Sequence, residues 1–465
     1  MAKMKRSEII LWTMVAIALA ANIWLPKHMN RKYSWERDLS QRLAVDFCKT
    51  KEEVKGEIRE FYPYVSDAEI EGWTESGKLE SMVIGKRTMY FKDAAANLKR
   101  IDPDYFNPRS GSADPVSSGT PSPSGRVHPR SAAAEYGQEG MALPDYSSIV
   151  LPDGFLDSVR MRVRFSITVP VHTLKPGKTL RCWLPYPRSD VPRQTDIKFI
   201  EAGVDSVAYP IDRITFSDPS CPHSSLYMEA KTNRYRDITF YEVFEYTSSG
   251  EFNPVNPSEV REFDTSRNEY KEYTSERDRH IIFTDRIKAL ADSLTDGIDN
   301  PFLQAAAMFT WIDRNIPWAS AREYSTIENI PEYILSVRHG DCGQKTLLFM
   351  TLCRYKGIPT RWQSGFYTAP GEANLHDWGE IYFEGYGWMP VDQSFGIIPN
   401  LGYFYLGGID PNRLIVNSDF GREMSPAKKY PRSETVDFQR GEVEWEGGNL
   451  YFNQWSYDFN IEYLQ

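Results

Sequence analysis

A cysteine placed where a helix should begin is the residue best suited to do chemistry. Residues 338–357 read RHGDCGQKTLLFMTLCRYKG. Asp341 has the short acceptor side chain that an N-cap needs, which makes Cys342 the first helical residue. Leu347, Leu348, Met350, Leu352 and Cys353 supply a broad apolar face. Gly357 suits the left-handed C′ position and Pro359 stops the helix. A thiol at a helix N-terminus faces unpaired N–H groups and the positive end of the dipole, both of which favour the nucleophilic thiolate. Its own N–H is free to donate to a developing oxyanion. Taken alone this is weak, because a buried structural thiol has the same neighbours. Cys353, three turns on, reads as such a core thiol.

A second segment strengthens the first. Residues 376–392 read HDWGEIYFEGYGWMPVD. His376, Trp378, Glu380 and Tyr382 share one strand parity, Gly385-Tyr386-Gly387 signals a reversal, and Trp388 to Asp392 returns as a second strand. A hairpin centred near Glu384 sets His376 opposite Asp392, within contact range. The carboxylate can then hold the imidazole in one tautomer, leaving the other ring nitrogen to activate the thiol. His339, three residues before Cys342, is a rival base, but a turn there should send it to solvent. Glu380 is expected to serve its strand. With no second close ligand pair, no metal is expected, and no cofactor.

These segments resemble the transglutaminase-like superfamily of papain-type cysteine enzymes. The matching words are GDCG at a helix start, H-x-W-x-E-x-Y on the next strand, G-Y-G-W-x-P-V-D at the end, and the step Gly357-Ile358-Pro359-Thr360-Arg361 between helix and strand. The resemblance covers roughly residues 284–400, reaching towards 420. It implies an α+β papain-like core with Cys342 as nucleophile, His376 as general base and acid, and Asp392 as orienting carboxylate. Asp341, Trp378 and Trp388 belong to the same motifs. Trp318, in Asn315-Ile316-Pro317-Trp318, is the candidate oxyanion donor, with packing under the cleft as the plain alternative. The implied reaction is cleavage or transfer of an amide acyl group through a thioacyl intermediate, hydrolysis being favoured over protein cross-linking. Protein, peptide or glycopeptide substrates fit. The alternative is a non-catalytic envelope module that keeps the fold to bind peptides or glycans.

The elements that must position these residues follow from composition and pattern. The chain has 465 residues, 41% hydrophobic and 14% aromatic, enough for several cores. Its 54 Lys and Arg against 64 Asp and Glu leave a net charge of −10, which gives no electrostatic support for nucleic-acid binding. Five cysteines without a C-x-x-C pair exclude a zinc ribbon or a disulfide framework. Residues 1–25 read as a signal peptide or an uncleaved anchor in the inner membrane. Lys3, Lys5 and Arg6 precede an apolar run from Ile9, and Ala18-Leu19-Ala20 offers a cleavage site before Ala21, but Ile23-Trp24-Leu25 extends the run to 17 residues. Either reading exports the remainder, and an oxidising compartment would allow Cys182 and Cys221 to pair.

Residues 33–102 read as mostly helical, with Leu39, Leu43 and Phe47 on one face and Ser66/Glu69 as a capping box. Residues 103–145 are a Ser/Pro/Gly-rich linker. Residues 146–260 are sandwich-like. Val159 to Val169 alternates apolar side chains with Arg160, Arg162 and Arg164, expected to be a solvated face, and further strands are predicted at Thr179–Leu184 and Ile238–Tyr246. A catalytic domain spans 275–425, with a helix opening at Asn300-Pro301. Residues 426–465 form a β-rich extension with a turn at Gly447-Gly448. Its aromatic residues are expected to pack in a sheet rather than stack on sugars.

Overall fold

A computed structural model describes residues 35–106 and 149–464. The predicted signal or anchor and nearly all of the predicted linker lie outside the described residues. Among the described residues, no helix is long and apolar enough to cross a membrane.

The N-terminal region runs α1 (Trp35–Asp46), β1 (Phe47–Lys49), α2 (Lys51–Arg59), α3 (Asp67–Glu75), β2 (Ser81–Ile84), β3 (Arg87–Phe91), α4 (Ala94–Ile101) and α5 (Pro103–Phe106). Among these helices lie three short strands that the sequence pattern did not single out: β1, β3 and β2 form a small antiparallel sheet in that order. Phe47 does not continue the helix face of Leu43. It opens β1 and is buried against Phe91, its strand partner. The reason lies just beyond, where Thr50 and Glu53 form a capping box that starts α2 afresh. Ser66 and Glu69 cap α3 in the same way.

The middle of the chain supplies β4 (Ser158–Val169), β5 (Thr179–Pro185), β6 (Gln194–Val204), β7 (Val207–Ala208), β8 (Thr215–Phe216), β9 (Ser225–Lys231), β10 (Ile238–Ser249) and β11 (Glu251–Phe252). Helices α6 (Asn268–Tyr273), α7 (Asp285–Leu294), α8 (Pro301–Asn315), α9 (Ile330–Val337) and α10 (Cys342–Tyr355) follow. Then come β12 (Thr360–Tyr367), β13 (Asn374–Phe383), β14 (Gly387–Val391), β15 (Gly408–Ile409) and β16 (Arg413–Asn417). The chain closes with β17 (Glu442–Trp445), β18 (Gly448–Leu450) and β19 (Ser456–Leu464). The fold class is α+β.

Two five-stranded sheets make the sandwich, in the orders β19-β4-β10-β6-β7 and β18-β17-β5-β9-β8. Residues 426–465 are thus not a separate extension. β19 pairs along β4 and β17 along β5, completing both sheets after the segment from α6 to β16 has left and returned. Tyr457 and Phe459 stack on Phe165 at 6.1 and 6.5 Å, so these aromatic residues serve packing. The arginines of β4 are spoken for: Arg160 and Arg162 bond Glu245, and Arg164 lies over Tyr241. Cys182 and Cys221 are free thiols, and no disulfide joins them.

The second layer places α10 against the sheet β14-β13-β12-β16. From Gly343 to Arg354 every residue of α10 is buried. Leu348, Phe349, Leu352 and Cys353 share one core with Phe302, Phe309, Ile381 and Phe383. Phe366 and Leu414 of the same sheet reach into the sandwich core, which ties the two layers together.

Candidate active site

Cys342 opens α10. Asp341 caps the helix by accepting from the Gln344 N–H at 3.1 Å, and Gln344 Oε1 accepts from the Asp341 N–H. The Tyr324 hydroxyl donates to the same Asp341 oxygen at 2.5 Å. Upstream, Trp318 bridges Gly340 in parallel, with the Ala319 N–H donating to the Gly340 carbonyl, so the chain entering α10 is held on both sides. Cys342 is half-buried. Burial, reinforced by the Asp377 and Asp341 carboxyls, pushes its thiol well above the ordinary range. Burial and these acidic neighbours act on the thiol in the direction opposite to the helix terminus, which favours the thiolate.

His376 and Asp392 come together. His376 Nε2 lies 2.7 Å from Asp392 Oδ2. The register differs from the expected one: Phe383 pairs with Gly387, so the hairpin centres on Gly385 and Gly379 stands opposite Val391. Asp392 is thus level with Trp378 rather than His376. Moving the centre by one residue moves the partner by two, which keeps the same face, and the two side chains meet diagonally. Asp392 is fully buried. Its other oxygen accepts from the Ser394 and Phe395 N–H groups at 3.0 and 3.2 Å, and Arg413 Nη2 lies 3.1 Å from Oδ2. Burial would raise this carboxyl, but the neighbouring His376 and Arg413 charges prevail and hold it below its usual range.

The His376 ring is boxed by Tyr367, Trp378 and Phe395, with centroids 6.2, 5.7 and 5.3 Å away. Gly365, its partner on β12, permits this layer: a Cβ there would lie 1.8 Å from the Leu414 carbonyl oxygen. With Nε2 committed to Asp392, Nδ1 is the nitrogen left for a thiol.

The thiol is not bonded to that nitrogen. Cys342 Sγ donates to Asp377 Oδ2 at 3.5 Å. Trp318 is 41% exposed, with the Arg100 guanidinium 5.3 Å from its ring centroid, so it is not packed under the cleft. Trp378 is buried and donates to Gln363 Oε1 at 2.8 Å. Trp388 pairs with Tyr382 at the far end of the hairpin, donates to Glu269, and carries Arg361 over its ring; it supports the hairpin rather than the reacting groups. Glu380 bonds Arg361, as a strand residue would. His339 is only 2% exposed, contrary to expectation, and burial lowers its pKa to about 4. The αL residue Arg338 ends α9 and turns the chain inward at that point.

Sequence reasoning missed Asp377, Arg413, Tyr324 and Gln439. Gln439 Nε2 donates to the His376 carbonyl at 2.7 Å and also to Asp377 Oδ1. Only Asp377 carried a local signal, since it sits inside the H-x-W word.

Residues 288–393 match the model of the transglutaminase-like superfamily. This segment is a transglutaminase-like domain. Its boundaries run from α7 through the residue after Asp392 and so contain all three candidate residues. An uncharacterized protein of Bacillus subtilis, YebA, is 24% identical over 253 residues, which is 48% of this chain and 34% of that one. The chain therefore spans about a third of the length of that curated relative. Among solved structures, a provisionally assigned cysteine protease from Cytophaga hutchinsonii is 14% identical, with a TM-score of 0.45 over 66% of this chain and 92% of that one. A provisionally assigned protease from Parabacteroides distasonis is 12% identical, with a TM-score of 0.20 over 53% and 68%.

Proposed function

We propose that the transglutaminase-like domain is a cysteine amidase or protease in which Cys342 is the nucleophile. The observation that carries this reading is the 2.7 Å His376–Asp392 hydrogen bond together with a thiol at the start of α10 that bonds Asp377, the residue next to His376. Cys342 gives its proton to His376 Nδ1 and attacks the amide carbonyl. The imidazolium, stabilised by Asp392, protonates the leaving amine. Water then releases the acyl group from sulfur, with His376 as base. The Cys342 N–H and Trp318 are the donors suited to the oxyanion. Substrates are proteins, peptides or glycopeptides outside the cytoplasm, reached by export through the N-terminal apolar run. An exported form beginning at Ala21 would show a cleaved signal, and a retained Met1 or Ala2 an anchor.

Alkylation tests the nucleophile. Iodoacetamide should label Cys342 faster than Cys353, with a pH dependence lost in His376→Ala. Labelling of Cys342 no faster than the buried Cys353 would sink the reading. A fluorescent amine offered with a glutamine-bearing protein separates the two acyl acceptors: incorporation means transamidation, and new N-termini or free ammonia without it mean hydrolysis. One observation favours a second reading, a binding module that retains the fold. The thiol proton is directed at Asp377 and its pKa is raised, as in a cysteine with no reaction to perform.

A further inference from the structure

The thiol is bonded to a side chain that the proposed reaction does not use. Asp377 follows His376 in β13, so its side chain leaves the opposite face of the strand. α10 packs on that face: a Cβ added at Gly379, two residues on, would lie 3.6 Å from Thr346 Cγ2. The Asp377 carboxyl is fixed at both oxygens. Oδ2 accepts from Cys342 Sγ at 3.5 Å, and Oδ1 accepts from Gln439 Nε2. Gln439 also holds the His376 carbonyl, so one amide sets the backbone of the base and the carboxyl on the nucleophile. A Cβ at Gly343 would come 2.5 Å from Oδ2 and 2.4 Å from the Tyr324 hydroxyl, so a glycine after the cysteine is what admits the carboxyl.

We propose that Asp377 is a positioning residue for Cys342, holding the thiol proton at rest so that the nucleophile reaches His376 only after this hydrogen bond is given up. The proposal rests on the cysteine-enzyme reading above. The step is a proton transfer: the S–H leaves Oδ2, its proton passes to His376 Nδ1, and a thiolate and an imidazolium result. Asp377 keeps the protonation state it had.

The groups facing Asp377 explain why it acts as a brake. They are Cys342 and Asp341 from α10, Glu434 and Asp437 from the segment leading into β17, and Tyr324 before α9. Arg440 acts on Glu434 and Asp437. Burial, then Asp437 and Asp341, push the Asp377 carboxyl well above the usual range. Were it to ionise, it would set a second negative charge beside the sulfur and oppose the thiolate again.

The test is the pH profile of Cys342 alkylation in the full chain, which needs no substrate. Asp377→Ala should move the midpoint down by about one pH unit, making labelling at neutral pH roughly tenfold faster. Gln439→Leu, which frees Oδ1 without removing the carboxyl, should give a smaller shift in the same direction and decides the matter if Asp377→Ala fails to fold. A merely structural role would leave the midpoint fixed. An unchanged or raised midpoint, with His376→Ala slowing the wild type, overturns the proposal and leaves the enzyme intact. A lowered midpoint with no effect of His376→Ala overturns the enzyme reading instead, and keeps the Asp377 contact.

Discussion

Asp392 and Asp377 are buried carboxyls only 15 positions apart, flanking one hairpin, yet their surroundings drive them in opposite directions. Asp392 has His376, two backbone N–H groups and Arg413 around it, and Arg413 continues to Asp410 at 2.6 Å. Every charge there has a partner. Asp377 has Asp437, Asp341 and Glu434 nearby, while cations of that side bond other groups: Arg440 bonds Glu323 at 2.9 Å and Arg432 bonds the Asp437 carbonyl. Burying a charge is costly unless it is paired, so the first carboxyl is held below its usual range and the second is pushed above it. The His376 side of the site is held by paired charge, whereas the Cys342 side faces a cluster of acids.

The largest way to test that contrast is to remove the Asp392 charge. Asp392→Asn should lower peptide-amide turnover on the order of 10⁴-fold, as loss of an orienting carboxylate does elsewhere, with the circular dichroism spectrum unchanged. Initial rates decide it; a loss under tenfold would mean that Asp392 does not orient the base. Next, Arg413→Met removes the buried cation that bridges Asp392 and Asp410, leaving His376 as the charge beside Asp392. Urea unfolding should show a loss of about 3–5 kcal/mol, and a loss below 1 kcal/mol would show that the charges are not mutually dependent.

The smallest effect concerns pH, where the two sides differ in sign. Asp392, held low, stabilises the fold above the unfolded-state pKa, and that contribution is lost as pH falls through its depressed folded value. Asp341, raised to about 6 by burial, binds its proton more tightly when folded. Its contribution is intact below the unfolded pKa near 4 and is lost as pH rises towards 6. Asp341→Asn keeps the cap acceptor without the charge. Stability at pH 7 should rise by roughly 1–3 kcal/mol and the decline between pH 4 and 6 should flatten. Melting curves across that range check it, and an unaltered slope would place the decline on other carboxyls.

Much of the site was legible because its words are local. Asp341 and Cys342 announce a helix start within a few residues, and His376, Gly385 and Asp392 announce a hairpin within one turn of chain. The register was displaced by one residue at the centre, since Gly385-Tyr386-Gly387 permits more than one turn and pairing selects among them. His339 was placed in solvent because a turn residue usually goes there. Burial of the turn under its neighbours is a tertiary effect.

Residue order by itself determined the elements: the capped helix, the alternating β4, the hairpin and the resemblance they carry. These depend on side chains a few positions apart, where propensity, capping and periodicity act. Only the tertiary structure decided that Arg413 and Gln439 reach the site, that β17 to β19 complete a sandwich begun some 270 residues earlier, and that the thiol faces Asp377. Those outcomes are set by long-range strand pairing and by the local balance of buried charge. Neither leaves a periodic trace in the chain, because the partners are distant in sequence and meet only when the core closes.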